Sequence, residues 1–285
     1  MRTKVIGFCV AVFCAASLFA QKQPTPKSQK EVDALMAVQN AATPEARLTA
    51  IDALLTKFAD TEFKPGLLMM AAATYQQKGD ADNMMIYAER ALDADKGSYQ
   101  AMLMLGSGLA TRTREHDLDK EDKLAKAEGY AKQAMQAITT ATKPRPDITD
   151  EQWTDAKKQL TSQAHEILGT TAMVRKKYDV AISEYKTAIE GDSTPDPTTM
   201  VRLAAAHNAA NQPDAALALC EKIMAMADAP PQVKSVAQAE RVRATQMKNK
   251  VPTAPAAPGA PAPKPVDPAP GPKPVQSVPA PPASK

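Results

Sequence analysis

Few side chains in this sequence combine the type and spacing that chemistry needs. His165-Glu166 opens like the His-Glu-x-x-His helix that holds a catalytic zinc. The second histidine would fall at position 169, which is Gly169, and one His with one Glu cannot complete such a site. His165 therefore reads as a helix-packing residue. Asp117, Asp119, Glu121 and Asp122 follow His116 and set oxygen ligands close together, as calcium would want. The turn glycine of a calcium loop is missing, and Lys120 and Lys123 interleave with the acids. A solvated loop accounts for the cluster. Cys220 and His207 lie among small apolar residues, with no Ser, His or acid at the spacing of a nucleophile and its base. Both read as packing. Arg241, Arg243, Lys248 and Lys250 form a basic cluster that a helix C-terminus accommodates, whereas nucleic-acid binding would need more charge and stacking aromatics. No Gly-rich phosphate loop is present. The expectation is a chain without cofactor, metal or catalytic set, and not an enzyme.

The two ends differ from the middle. Arg2 and Lys4 precede an uncharged apolar run from Val5 to Ala20, and Ser17-Leu18-Phe19-Ala20 forms a small-residue cleavage site before Gln21. Residues 1–20 thus read as a secretory signal peptide, and a retained N-terminal anchor is the alternative. Phe8 and Phe13 precede Cys9 and Cys14, where a lipoprotein signal wants small residues. Cleavage would leave Cys220 as the sole cysteine, so the exported domain must hold together without an internal disulfide. It would also lower the net charge of +3 by two, to +1, which suits neither nucleic acid nor a polybasic membrane contact. No other run approaches a membrane-spanning length. At the far end, 13 of the 24 prolines lie between Pro252 and Lys285, mixed with alanine. Such a composition cannot be helix and has too little bulk for a core. A disordered, polyproline-II-like tail is expected. The boundaries are then a signal at 1–20, a linker at 21–27, a helical domain at 28–249 and the tail at 250–285.

The elements that would position any site lie in 28–249. Apolar residues recur there at three and four, with short helices broken by Gly-Asp, Asn-Gln-Pro-Asp and proline-containing turns. The breaks repeat. Ala72, before Tyr75 and Gly79, precedes Met84, Ala88 and Ala91; Leu168-Gly169 precedes Tyr178, Ala181, Tyr185 and Ala188; Leu203-Ala204 precedes Ala216, Cys220 and Ile223. From Ala72 to Met84, Gly169 to Ala181 and Ala204 to Ala216 the interval is always 12 residues. Leu105-Gly106 precedes Ala127, Ala131 and Ala134 at 21, nine too many, and the excess is expected in the turn around Glu115 to Lys123. Ala72 to Gly106 spans 34 residues and Gly169 to Ala204 spans 35.

This pattern resembles the tetratricopeptide repeat family, whose unit of 34 residues is a helix–turn–helix. The resemblance covers roughly residues 64 to 228, with a degenerate unit around Ala50 and Leu54 before it. It implies an all-α, right-handed α-solenoid of stacked units with a concave side. Pro231 to Lys248 is expected to be a closing helix, with Val233, Val236, Ala237 and Ala244 on one face and Glu240 interrupting it. Thr149 and Gln152 have capping-box spacing, so the first helix of the third unit starts near 149 and overhangs its partner. Trp153 lies on the overhang, as core or as an exposed anchor. Met69, Met70, Met84 and Met85 read as core, some of them facing the groove.

The resemblance also implies a protein or peptide partner held by the first helices. By register the inward residues are Met69, Ala73, Leu103, Ser107, Glu166, Thr170, Val201, Ala205 and Asn208. They lack the repeated Lys and Asn of the family's carboxylate clamp. Two further readings stand beside a periplasmic or secreted scaffold. One is a structural component tethered to the cell envelope through its tail. The other is an enzyme whose site is not recognisable.

Overall fold

The computed structural model describes residues 24–192 and 194–250. The expected signal peptide and nearly all of the Pro/Ala-rich tail lie outside the described residues. Eleven helices and no strand occur among the described residues: α1 (Gln29–Gln39), α2 (Pro44–Lys57), α3 (Lys64–Gln77), α4 (Ala81–Ala94), α5 (Tyr99–Arg112), α6 (Lys120–Thr140), α7 (Asp150–Val174), α8 (Tyr178–Gly191), α9 (Pro197–Ala209), α10 (Pro213–Ala225) and α11 (Pro231–Lys250).

Local chemistry sets the helix boundaries. Ser28, Thr43, Asp80, Ser98 and Asp196 each accept a backbone N–H of the first turn that has no partner inside the helix. Thr149 and Gln152 form the reciprocal capping box that starts α7. Pro44, Pro197 and Pro213 stand in the first helical turn, where their missing N–H removes no helical bond. Three helices end in one way. Gly79, Lys176 and Asn211 each lie two residues past α3, α7 and α9, and have φ of 72°, 59° and 59°. The next residue in each case donates its N–H to Tyr75, Ala172 or His207 at 3.0, 2.9 and 2.8 Å. This is the six-to-one bond of a Schellman ending, and it turns the chain back onto the helix just completed.

Each helix packs on its neighbours in sequence, and α5 also meets α7, as α9 meets α11. The apolar core is accordingly a row of overlapping clusters. The first joins α1 to α5 around Ile51, Leu68 and Ala88. The second joins α5, α6 and α7 around Ala131 and Ile167. The third joins α7, α8 and α9 around Tyr185 and Leu203, and two more close α9, α10 and α11. No unit buries its apolar face alone, so stability comes from stacking.

The repeat residues sit where helices approach closely. Ala72, Ala88, Ala91, Ala127, Ala131, Ala134, Ala181, Ala204, Ala216 and Cys220 have no exposed surface, and Leu105, Ala188 and Leu203 are buried too. A Cβ on Gly106 would stand 3.2 Å from Ile167 and 3.3 Å from the Ala127 carbonyl. Leu168 is half-buried against the second cluster, Tyr75 lies 5.2 Å from the Tyr87 ring, and Tyr178 opens α8, half-buried.

Two sequence expectations change. The nine-residue excess of the second unit is not confined to its turn. The turn holds seven residues (113–119) against three (78–80) in the first unit. α6 begins seven residues before Ala127, where α4 begins three before Met84, and α5 runs one residue longer past its small residue than α3 does. Lys120 to Lys123 are therefore helical. On α11, Ala237 and Ala244 are buried, but Val236 is 50% exposed, so the inner face omits it. Of the two readings of Trp153 the structure has the buried one, and its indole N–H donates to the Ala141 carbonyl at 3.3 Å.

Candidate functional site

The first helices of successive units line a cavity of about 410 Å³. Its wall brings together Met69 of α3, Leu103 and Ser107 of α5, and Glu166 and Thr170 of α7, five of the residues that register placed inward. Leu103 and Ser107 are four apart, as are Glu166 and Thr170, so each pair shares one helical face.

Four expected residues are elsewhere. Val201 is buried in the cluster with Met200, Ile223 and Ala237. Asn208 is buried as well, and its carboxamide donates to the Glu240 carbonyl at 3.0 Å and to the Glu240 carboxylate at 2.8 Å. Both are covered because α11 packs on α9 where another first helix would stand. The glutamate that interrupts the apolar stripe of α11 thus meets the one carboxamide that α9 buries. Ala73 and Ala205 are half-buried and do not line the cavity.

Register also passed over residues that do line it. Gln100 and Gln163 lie three residues before Leu103 and Glu166, and Gln76 lies three after Ala73, so all three extend the same stripe by one turn. That signal was available in the spacing. Arg202 was not, because its place follows from the stacking of α9 on α7. Its guanidinium meets the Glu166 carboxylate at 3.1 Å, and the Thr199 hydroxyl donates to the same carboxylate. Burial pushes the Glu166 carboxyl above its ordinary range, opposed by the Thr199 hydrogen bond and the Arg202 charge. Thr170 donates to the Glu166 carbonyl at 2.8 Å and lies 3.1 Å from the Tyr185 hydroxyl. The cavity wall is thereby fixed to the core of the third unit.

The other candidates serve the frame. His165 is half-buried, its Nδ1 2.7 Å from Glu184. The buried His207 has its Nδ1 2.7 Å from the Gln212 side-chain oxygen. Burial raises the pKa of the Cys220 thiol, so it stays a thiol. The acidic turn is tied to cations: Lys123 meets Asp119 at 2.8 Å and Asp117 at 3.5 Å, Arg175 meets Glu121 at 2.7 Å, and Lys176 pairs with Glu115. In the basic cluster, Lys248 meets Asp214 at 2.6 Å. Of the four methionines, Met84 is core, Met69 lines the groove, Met85 is half-buried and Met70 is 40% exposed. Among the described residues no group of His, Cys, Asp and Glu is placed to hold a metal ion, and no helix is long and apolar enough to cross a membrane.

No protein-family model matches the sequence, and no curated protein does. Solved structures do. TTC0263, a thermophilic TPR protein of Thermus thermophilus, superposes with a TM-score of 0.52 at 17% identity, over 74% of this chain and 99% of that one. The fold is that of a tetratricopeptide-repeat protein. MamA (TM-score 0.39, 17% identity, 66% of this chain and 89% of that one) and the RpL4 assembly chaperone Acl4 (0.41, 12%, 77% and 97%) are also similar. In tetratricopeptide terms the cavity lies on the face of the first helices, and α11 is the terminal cap.

Proposed function

We propose that this protein is a binding scaffold that holds an extended segment of another protein in the groove lined by α3, α5, α7 and α9. The carrying observation is the gathering of Met69, Leu103, Ser107, Glu166 and Thr170 around one open cavity on the first helices. Small and apolar side chains there offer contact area, while hydroxyls and carboxamides offer hydrogen bonds, the mixture that peptide grooves use. Among the described residues, His165, His207, Glu166 and Arg202 each meet a partner within the frame. The apolar N-terminal run supports export, so the binding takes place in the periplasm or outside the cell.

Crosslinking of the full chain in envelope extract, followed by affinity capture, tests the reading. Ser107→Arg with Thr170→Arg fills the groove from two adjacent units. Capture of a discrete partner should be lost in that variant while its helical circular dichroism stays intact. A partner retained by the filled groove would overturn the proposal. Export is tested separately: the N-terminus of the fractionated protein should begin at Gln21, and an unprocessed cytosolic chain would refute it.

A further inference from the structure

The charges and the carboxamides of this groove narrow its occupant. Of the fourteen residues lining the cavity only Glu166 and Arg202 are charged, and they pair with each other. A charged ligand would lose water without meeting an unspent opposite charge, which is unfavourable. Gln76, Gln100 and Gln163 line the same cavity, and their carboxamides hydrogen-bond to no other described residue. Each offers two donors and an acceptor, the complement of a peptide group.

Spacing selects the backbone form. Gln100 and Gln163 hold the same place in adjacent units, each three residues before its inward partner. Packed helices stand about 8–10 Å apart. A β-strand presents the same edge every two residues, at about 6.7 Å, which falls short of that distance. A polyproline-II segment repeats every three residues at about 3.1 Å each, so one face recurs at about 9 Å. Its carbonyls carry no internal hydrogen bond and are open to carboxamide donors.

Resting on the groove-binding reading, we infer that the occupant is an uncharged segment of a partner protein in polyproline-II form, its carbonyls paired with Gln100 and Gln163 and an apolar side chain set on the half-buried Met69 and Met104. The probe is a fluorescein-labelled nonapeptide of Pro, Ala and Leu, acetylated and amidated at its ends, titrated into the full chain by anisotropy. Binding should change less than about twofold between low and high salt, because no ion pair is screened. The same peptide with Lys or Asp at every third position should bind at least about tenfold more weakly. Gln100→Ala and Gln163→Ala should each weaken the neutral peptide about threefold to tenfold, while Gln246→Ala on α11 leaves it unchanged. Tighter binding of a charged peptide, or neutral binding indifferent to both groove substitutions, overturns the inference. So does neutral binding that emerges only when residues 252–285 are replaced by Gly and Ser, since the occupant would then be this chain's own segment. If no peptide binds but the groove-filling variant still loses its captured partner, this inference falls and the binding function stands. If capture also survives groove filling, both fall.

Discussion

Gly169 lies against the ring of Tyr185, and a Cβ at that glycine would stand 2.7 Å from two of the ring carbons. Tyr185 is 2% exposed, so the ring has nowhere to retreat. Ala72 and Ala204, the same repeat position in the first and fourth units, carry a methyl without exposure. In the third unit the first-helix glycine instead meets a tyrosine of the second helix, and the Tyr185 hydroxyl also lies 3.1 Å from Thr170 at the groove. Gly169→Ala should therefore destabilise the protein by about 1–3 kcal/mol, the usual cost of overpacking, despite alanine's better helix propensity. Chemical denaturation measures this. In a double-mutant cycle the loss should be largely absent when Tyr185 is already alanine.

The turns between paired helices make a second test. Gly79 and Lys176 share the left-handed conformation, φ 72° and 59°, which costs an L-residue roughly 1 kcal/mol that glycine does not pay. Gly79→Ala should lose about 1 kcal/mol on equilibrium unfolding, with helical content preserved. A stabilisation would show that this turn relaxes out of the Schellman geometry.

The repeat itself was legible because close helix approach demands small side chains, and Ala72, Gly106, Gly169 and Ala204 fall at the spacing this requires. The capping box at Thr149 was legible for the same reason, since it is local. Five of the fourteen residues lining the groove followed from register alone. Arg202 did not, because its position depends on how α9 stacks on α7 rather than on any spacing within a helix. Val201 and Asn208 have inward register, yet α11 buries them, and only Glu240 within the stripe of α11 hinted at a polar partner on α9. The second unit misled because an insertion spacing cannot tell a longer turn from an added helical turn.

Glu166 gives the groove a pH signature. Its folded-state pKa is raised by burial above the ordinary value of 4.5, so the native state binds more protons than the unfolded chain as pH rises from about that value. Native stability attributable to this group is then full below that range and falls as pH climbs through the folded pKa. Glu166→Gln removes the titration. The free energy of unfolding of the variant relative to the parent should increase as pH rises from 4.5 and level off beyond the folded pKa. A difference independent of pH would mean that Thr199 and Arg202 hold the carboxylate ionised throughout.

Arg175 joins the second unit to the third. Its guanidinium is mostly buried and meets both Glu121 and Glu128 of α6, while the next residue, Lys176, pairs with Glu115 in the enlarged turn. Glu115, Glu121 and Glu128 therefore form a latch between units. Arg175→Ala should speed amide hydrogen exchange across residues 113–123 by roughly tenfold through local opening, while the core of α3 and α4 is unchanged. Added calcium should not restore protection, and recovery with calcium would revive the reading of the cluster as a metal loop.

Trp153 provides the last test, because the sequence left it between core and anchor. The ring closes the end of the α6–α7 pair: its N–H meets the Ala141 carbonyl just past α6, and the Lys157 ammonium lies 6.0 Å from the ring centre. At 9% exposure it cannot serve as a contact residue unless the overhang opens. As the only tryptophan it is also the sole source of indole fluorescence. Emission of the native protein should be blue-shifted relative to the unfolded chain and insensitive to capture of a partner. Trp153→Ala should cost about 3 kcal/mol or more, as deletion of a buried aromatic does, whereas Trp153→Phe should lose mainly the hydrogen bond, about 1 kcal/mol. If Trp153→Ala leaves stability unchanged but abolishes partner capture, the overhang is itself a binding surface and the groove is not the sole one.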